Sequence, residues 1–222
     1  MAVFAHVKRE GHNMARDTSP IVKQSRREGY IMHPKAAKVM AKKTGIPGMH
    51  AHGRQGKPSL YLTQLREKQK VRRTYGLLEK QFAKLMDEAD RSTNRGGLLP
   101  GEYLLQLLEL RLDNAVYRAG FATSRRSARQ LVSHGHFLLN GHRVDIPSIR
   151  LKAGDELTVR PKSTKSGYFS QIDEVIKNTY QGPLGWLKSD QKKLTISITG
   201  LPTRDEAEPD IKEQLIVEYY SR

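Results

Sequence analysis

Apolar residues Leu105, Leu108, Leu112, Val116 and Ala119 recur three and four positions apart, which predicts one helix with an inward-facing stripe. Arg111 and Arg118 stand two turns apart on another face of it, with Asn114 between them. Gly120 stops this helix, and Thr123 or Ser124 caps the next by accepting its free backbone N–H groups. There Ala128, Leu131 and Val132 form the buried stripe, Arg125 and Arg129 lie four apart, and Arg126 is followed four on by Gln130. On this pattern all five arginines are expected to project away from the core. The periodicity then changes: Asn140-Gly141 supplies the positive backbone angles of a two-residue turn, joining strand Phe137–Leu139 to His142–Asp145.

Elsewhere the pattern is helical from Leu60 to Ala89, where Leu62, Leu65, Val71, Leu77, Leu78, Phe82 and Leu85 interleave with Arg66, Lys68, Lys70, Arg72 and Arg73. Gly96-Gly97 and Pro100-Gly101 mark a hinge. Downstream, Leu157–Arg160 predicts a strand completing a small sheet, Tyr168–Thr179 a helix, and Trp186-Leu187 a hairpin partner for Leu194–Ile198. The apolar residues of Ile211–Tyr220 need a packing surface. Residues 1–60 carry few large apolar side chains and no sustained period, so an extended, loop-rich arm that orders on an acidic partner is expected. The fold class is α+β: a mostly helical domain, an embedded small α/β module of two arginine-bearing helices plus a short antiparallel sheet, and a basic extended N-terminal arm. The expected division is 1–60 for the arm, 61–100 for the helical domain completed by 207–222, and 101–206 for a second domain holding the module at about 109–160.

Composition turns this pattern toward a polyanion. The 222 residues carry a net charge of +16, with twelve Lys and Arg against three Asp and Glu in residues 1–60 and a neutral balance over 161–222. Arginine's planar fork bonds phosphate through two donors at fixed charge, so two helices displaying it suit a nucleic-acid backbone. An anionic membrane is the other partner for such charge, but no apolar run approaches the ~18 to 20 residues of a span, and the N-terminus lacks a signal-peptide core. With no cysteine, disulfides, thiolate zinc sites and a cysteine nucleophile are excluded.

Signals for catalysis are weak. Gly45-Ile-Pro-Gly48 lacks the spacing of a phosphate-cradling loop, and no Gly-Lys-Ser/Thr occurs. His50-Ala-His52 and His134-Gly-His136 raise a metal site, yet zinc ordinarily draws on cysteines or on i, i+4 histidines; solvent or RNA contact is the better reading. Asp113 reads as a helix or core partner rather than a catalytic acid. No metal, cofactor or enzymatic activity is expected.

Four blocks then point to one family. Arg66–Phe82 (REKQKVRRTYGLLEKQF), Leu110–Phe121, Ser124–His136 and the ending Ile211–Arg222 together resemble the bacterial-type small-subunit ribosomal protein S-four family, in order from about Met14 to Arg222. The arginine-helix module alone is shared with tRNA synthetases, pseudouridine synthases and heat-shock RNA-binding proteins; the first and last blocks make the resemblance specific.

The resemblance implies a non-enzymatic, cytoplasmic constituent of the 30S subunit, monomeric within the ribosome, that binds 16S rRNA early, nucleates assembly of the subunit body and contributes to translational accuracy. It implies neighbouring small-subunit proteins as partners, and messenger RNA near where it enters. By matching positions, Arg111, Arg118, Ser124, Arg125, Arg126, Arg129, Gln130, Ser133 and His134 face RNA, Arg66, Lys68, Lys70, Arg72 and Arg73 supply a second surface, and Arg26 and Arg27 add to it. Two departures stand out: many family members bind zinc through four N-terminal cysteines, absent here, and residues 1–13 precede the family pattern as an extension or the product of an upstream start codon. The alternatives are a stand-alone RNA-binding regulator or RNA-modifying enzyme using the same module, and a DNA-binding helix-turn-helix. The hairpin after the second helix and the wide spread of charge favour structured RNA.

Overall fold

The computed structural model describes residues 17–43, 45–49, 56–93, 98–179, 182 and 184–221. Its first helix, α1 (Ile21–Glu28), stops where Gly29 turns left-handed, and α2 (Pro34–Lys42) starts with proline at its first position and His33 accepting from the Lys35 N–H. This corrects the expectation of an extended arm for residues 21–42. Polar bonds supply what sparse apolar side chains do not: Gln24 and Ser25 are buried, Tyr30 donates to Glu208 at 2.8 Å, and Arg66 and Arg73 both reach Glu28.

Ser59 caps α3 (Leu60–Thr74), α4 (Glu79–Thr93) follows, and α5 (Pro100–Glu109) again begins with proline. The Gly96-Gly97 part of the expected hinge lies outside the described residues. The single helix expected across Leu105–Ala119 is interrupted: Arg111 is extended and bridges Arg150, with Leu112 N–H donating to the Ile149 carbonyl and Leu151 N–H to that of Leu110, each at 2.9 Å. Helix α6 (Leu112–Arg118) restarts beyond that bridge, and α7 (Arg125–Ser133) begins at the Ser124 cap, whose hydroxyl accepts from Ser127 N–H at 3.2 Å.

Strands β1 (Phe137–Leu139) and β2 (His142–Val144) form the expected hairpin, with Asn140 and Gly141 at φ 48° and 83°. Then come β3 (Glu156–Val159), the short helices α8 (Pro161–Thr164) and α9 (Gly167–Ser170), α10 (Ile172–Thr179), β4 (Leu187–Asp190), β5 (Thr195–Ile198) and α11 (Glu213–Tyr220). The helix expected over 168–179 is thus divided at Gln171. Both hairpins join one antiparallel sheet of order β2-β1-β3-β5-β4, because β3 pairs with β5.

Two apolar cores result. One gathers Val71, Phe82, Met86, Leu104, Leu108, Ile211 and Ile216, so α11 closes over α3 and α5. The other gathers Leu112, Val116, Phe121, Val132, Phe137, Leu157, Trp186 and Ile196 behind the sheet. Among the described residues, no helix is long and apolar enough to cross a membrane.

Candidate nucleic-acid interface

The apolar stripe of α7 fixes which of its side chains reach solvent. Ala128, Leu131 and Val132 face the core, so Arg126, Gln130, Ser133 and His134 share the exposed face. Arg126 is anchored lightly, donating at 3.3 Å to the Ser19 carbonyl and to Gln24 Oε1. Arg129 sits between face and core, donating to the Gly76 carbonyl at 2.9 Å and lying 3.9 Å from Asp113. These residues form one wall of a cleft of about 760 Å³ whose other wall includes Thr18, Ile21, His33 and Arg73.

Three of the five arginines do not project outward, which corrects the expectation for Arg111, Arg118 and Arg125. Arg111 is buried and grips Asp113 through two bonds, at 2.9 and 3.1 Å. Arg118 grips the fully buried Glu109 in the same way, at 2.8 and 2.9 Å, and Glu109 also accepts from Tyr75 at 2.5 Å and Asn114 at 2.8 Å. Arg125 turns inward from the start of α7: it donates to Asn114 Oδ1 at 2.8 Å and Glu208 at 2.5 Å, and lies 4.8 and 4.6 Å from the ring centres of Tyr75 and Tyr117. Glu208 thus meets Arg125, Tyr30 and, at 3.6 Å, Arg118. The physical reason is pairing: a charge leaves water when an opposite charge and hydrogen bonds await it, and Glu109 and Glu208 supply both.

Burial alone raises a carboxylate's pKa, but beside Arg125 and Arg118, and accepting from Arg125 and Tyr30, Glu208 is held down to about 2. Burial first, and then the Glu109 charge, push the Tyr75 phenol well above its ordinary value. Arg125 is raised because the attraction of Glu208 and Tyr75 outweighs desolvation.

The second expected surface is also largely tied down. Lys68 is buried, donates to Glu79 at 2.6 Å and lies 4.3 Å from the Tyr219 ring centre, so it is corrected from contact residue to core partner. Lys70 pairs with Glu67 at 2.7 Å and donates to the Asp210 carbonyl at 2.6 Å. Arg72 bonds Gln69 at 3.0 Å and lies 3.8 Å from Glu79, while Arg66 and Arg73 share Glu28. Arg26 donates to the Gly45 carbonyl at 2.7 Å and Arg27 to that of Pro47 at 3.5 Å; Arg27 is exposed. The exposed lysines Lys23, Lys35, Lys38, Lys42 and Lys43 of α1, α2 and the residue after them are freer cations than the α3 set.

His134 and His136 have ring centres 6.0 Å apart, and His136 Nδ1 lies 2.9 Å from Ser163 Oγ. Among the described residues no group of three His, Asp or Glu is placed to hold a metal; His50 and His52 lie outside them. Asp113 is a partner within the helix region, paired with Arg111 at 2.9 Å. The sequence reading missed Tyr30, Tyr75, Glu109, Asn114 as a bridging amide, and Glu208. One signal was available: Glu109 is a carboxylate inside the apolar run Leu107–Leu112, where only a buried cation would keep it.

Comparison with known proteins follows the division into two cores. The Ribosomal protein S4/S9 N-terminal domain matches residues 16–109 and the S4 domain matches residues 110–157. Small ribosomal subunit protein uS4 of Syntrophomonas wolfei is 45% identical over 215 residues, and the proteins of that name from Chloroflexus aurantiacus and Clostridioides difficile are 46% identical over 211 and 215 residues. Each alignment covers 94% of this chain and 100% of the relative. With the two domains matched in order and such relatives aligned along their whole length, the chain belongs to the small ribosomal subunit protein uS4 family.

Proposed function

We propose that the chain is a non-enzymatic structural constituent of the small ribosomal subunit that binds 16S rRNA. The observation that carries this is the α7 face: Arg126, Gln130, Ser133 and His134 are exposed on one helix side bordering a wide cleft, on a chain of net charge +16. Phosphates bind Arg126 and the rim of the cleft, which Arg129 and Arg73 also line, with Arg27, Arg66 and the lysines of α1 and α2 as a second cationic surface. Arg111, Arg118, Arg125 and Lys68 act through the fold, holding that face in place. Early assembly of the subunit body, contacts with neighbouring small-subunit proteins, proximity to incoming messenger RNA and an effect on accuracy belong to the same reading. The packing supports two units meeting after Glu109, the first comprising residues up to 109 with 207–221 and the second residues 110–206.

Two measurements test the proposal together. The protein should co-sediment with 30S particles, and its affinity for a 16S fragment should fall with salt at a log-log slope of about −4 or steeper, as expected for about five neutralised phosphates. A flat slope, or absence from the particles, overturns it.

A further inference from the structure

The turn directly after α7 brings together two arginines that the expected contact residues do not include. Gly135 has φ +69°, and a Cβ there would stand 2.7 Å from Arg143 Nε and 2.8 Å from Nη2, so the Arg143 guanidinium lies flat on the glycine. Arg160 donates to the Gly135 carbonyl at 3.4 Å. Two guanidinium groups therefore converge on one residue, flanked by His134 and His136. Unlike Arg111, Arg118, Arg125 and Arg150, neither has a carboxylate within 4.0 Å among the described residues. Arg143 is exposed and Arg160 half-buried, so both can reach a ligand. Burial first, and then the neighbouring His134 and Arg160, hold the His136 imidazole below its ordinary pKa.

Like charges brought together at a partly desolvated site repel unless a counter-charge joins them, and a planar fork pair is matched by the oxygens of a phosphate. We propose that Arg143 and Arg160, spaced by Gly135, form a second phosphate-binding site for the rRNA backbone, distinct from the exposed face of α7. The left-handed turn at the end of α7 calls for glycine at position 135, and the missing side chain leaves the Arg143 fork room to lie against it. This rests on the proposed rRNA-binding function and adds to it a contact from the β2 and α8 side of the module.

The test uses the full chain, a 16S fragment, and the variants Arg143→Gln/Arg160→Gln and Arg126→Gln. The double variant should bind about tenfold more weakly, with a salt slope shallower by about 0.7 to 0.9 for each phosphate lost, and its effect should add to that of Arg126→Gln. Arg143→Gln alone, at an exposed position, replaces the double variant if that misfolds, with about half the slope change expected. Wild-type affinity and slope in the folded variant overturn the second site, even with Arg126→Gln weakened as expected. If the unaltered protein bound no rRNA, the function itself would fail. The site is then read by NMR: pyrophosphate should shift the His134 and His136 ring signals in the unaltered protein and not in the double variant, and unshifted signals overturn it too.

Discussion

Arg125 and Glu208 are 83 positions apart in the chain and meet at 2.5 Å, with side chains only 12% and 13% exposed. That bond joins the first turn of α7 to the segment leading into α11, and Tyr30 ties the α1 region to the same carboxylate. The orientation of the α7 face is thus set by an ion pair rather than by apolar packing alone.

Glu208→Gln should destabilise the protein by about 3 to 5 kcal/mol at pH 7, because it leaves Arg125 buried without its counter-charge. Glu208 has its pKa lowered to about 2 in the folded state from an ordinary 4.5, so its stabilisation is present above about pH 4.5 and fades as pH falls toward 2. Urea titrations of both proteins across that window should show the gap closing as acid is added. A gap of constant size would mean that the charge is not its origin.

Arginines on neighbouring positions of α7 should behave oppositely. Arg126→Gln removes an exposed cation, shifting stability by no more than about 0.5 kcal/mol while weakening binding to a 16S fragment by about 1.5 to 3 kcal/mol. Arg125→Gln should instead lower the thermal midpoint, at a cost of about 3 to 5 kcal/mol. Thermal melts and fragment titrations on the two variants separate these roles; identical melts would remove the distinction between structural and contacting arginines.

Gly101 lies in α5 where a Cβ would stand 2.7 Å from Glu213 Cγ and 2.8 Å from its Cβ. Since the clash is with the root of that side chain, Gly101→Ala should force α11 off α5 and cost about 1 to 3 kcal/mol. Hydrogen exchange should quicken first at Leu215, Ile216 and Val217; unchanged protection there would show that the two helices part without penalty.

Limited trypsin digestion probes the basic arm. Helix α1 is held through buried Gln24 and Ser25 and by the Tyr30–Glu208 bond, so Arg26 and Arg27 should resist cleavage longer than the exposed Lys57. Arg118 of α6 should be cut last. Cleavage at Arg26 or Arg27 before Lys57 in RNA-free protein would restore the picture of an extended arm.

Much of the module was legible because local chemistry dictates it. Asn140-Gly141 can take positive φ, Ser124 can cap a helix, and the alternation around Leu157 and Ile196 suits strands, so the hairpins and α7 follow from their own residues. The break at Arg111 was not legible, since the period of Leu108, Leu112 and Val116 runs through it and the interruption comes from a bridge to Arg150. The inward turn of Arg118 and Arg125 was hidden for a related reason. Nothing near α7 announces Glu208, and an arginine beside a distant carboxylate looks, in one dimension, like an arginine awaiting phosphate. Helices α1 and α2 were not legible because they bury polar side chains such as Gln24 and Ser25, and polar burial leaves no periodic trace.

Helix α11 also has a consequence for synthesis on the ribosome. The sheet core is built from residues 110–198, a continuous stretch, whereas the helical core needs Ile211 and Ile216 to cover Val71 and Phe82. As the chain emerges, the later-encoded half can close while the earlier-encoded half still waits with an open apolar groove. The helical core therefore lacks its full cover until the last-translated helix is made, while the sheet core needs nothing beyond residue 198.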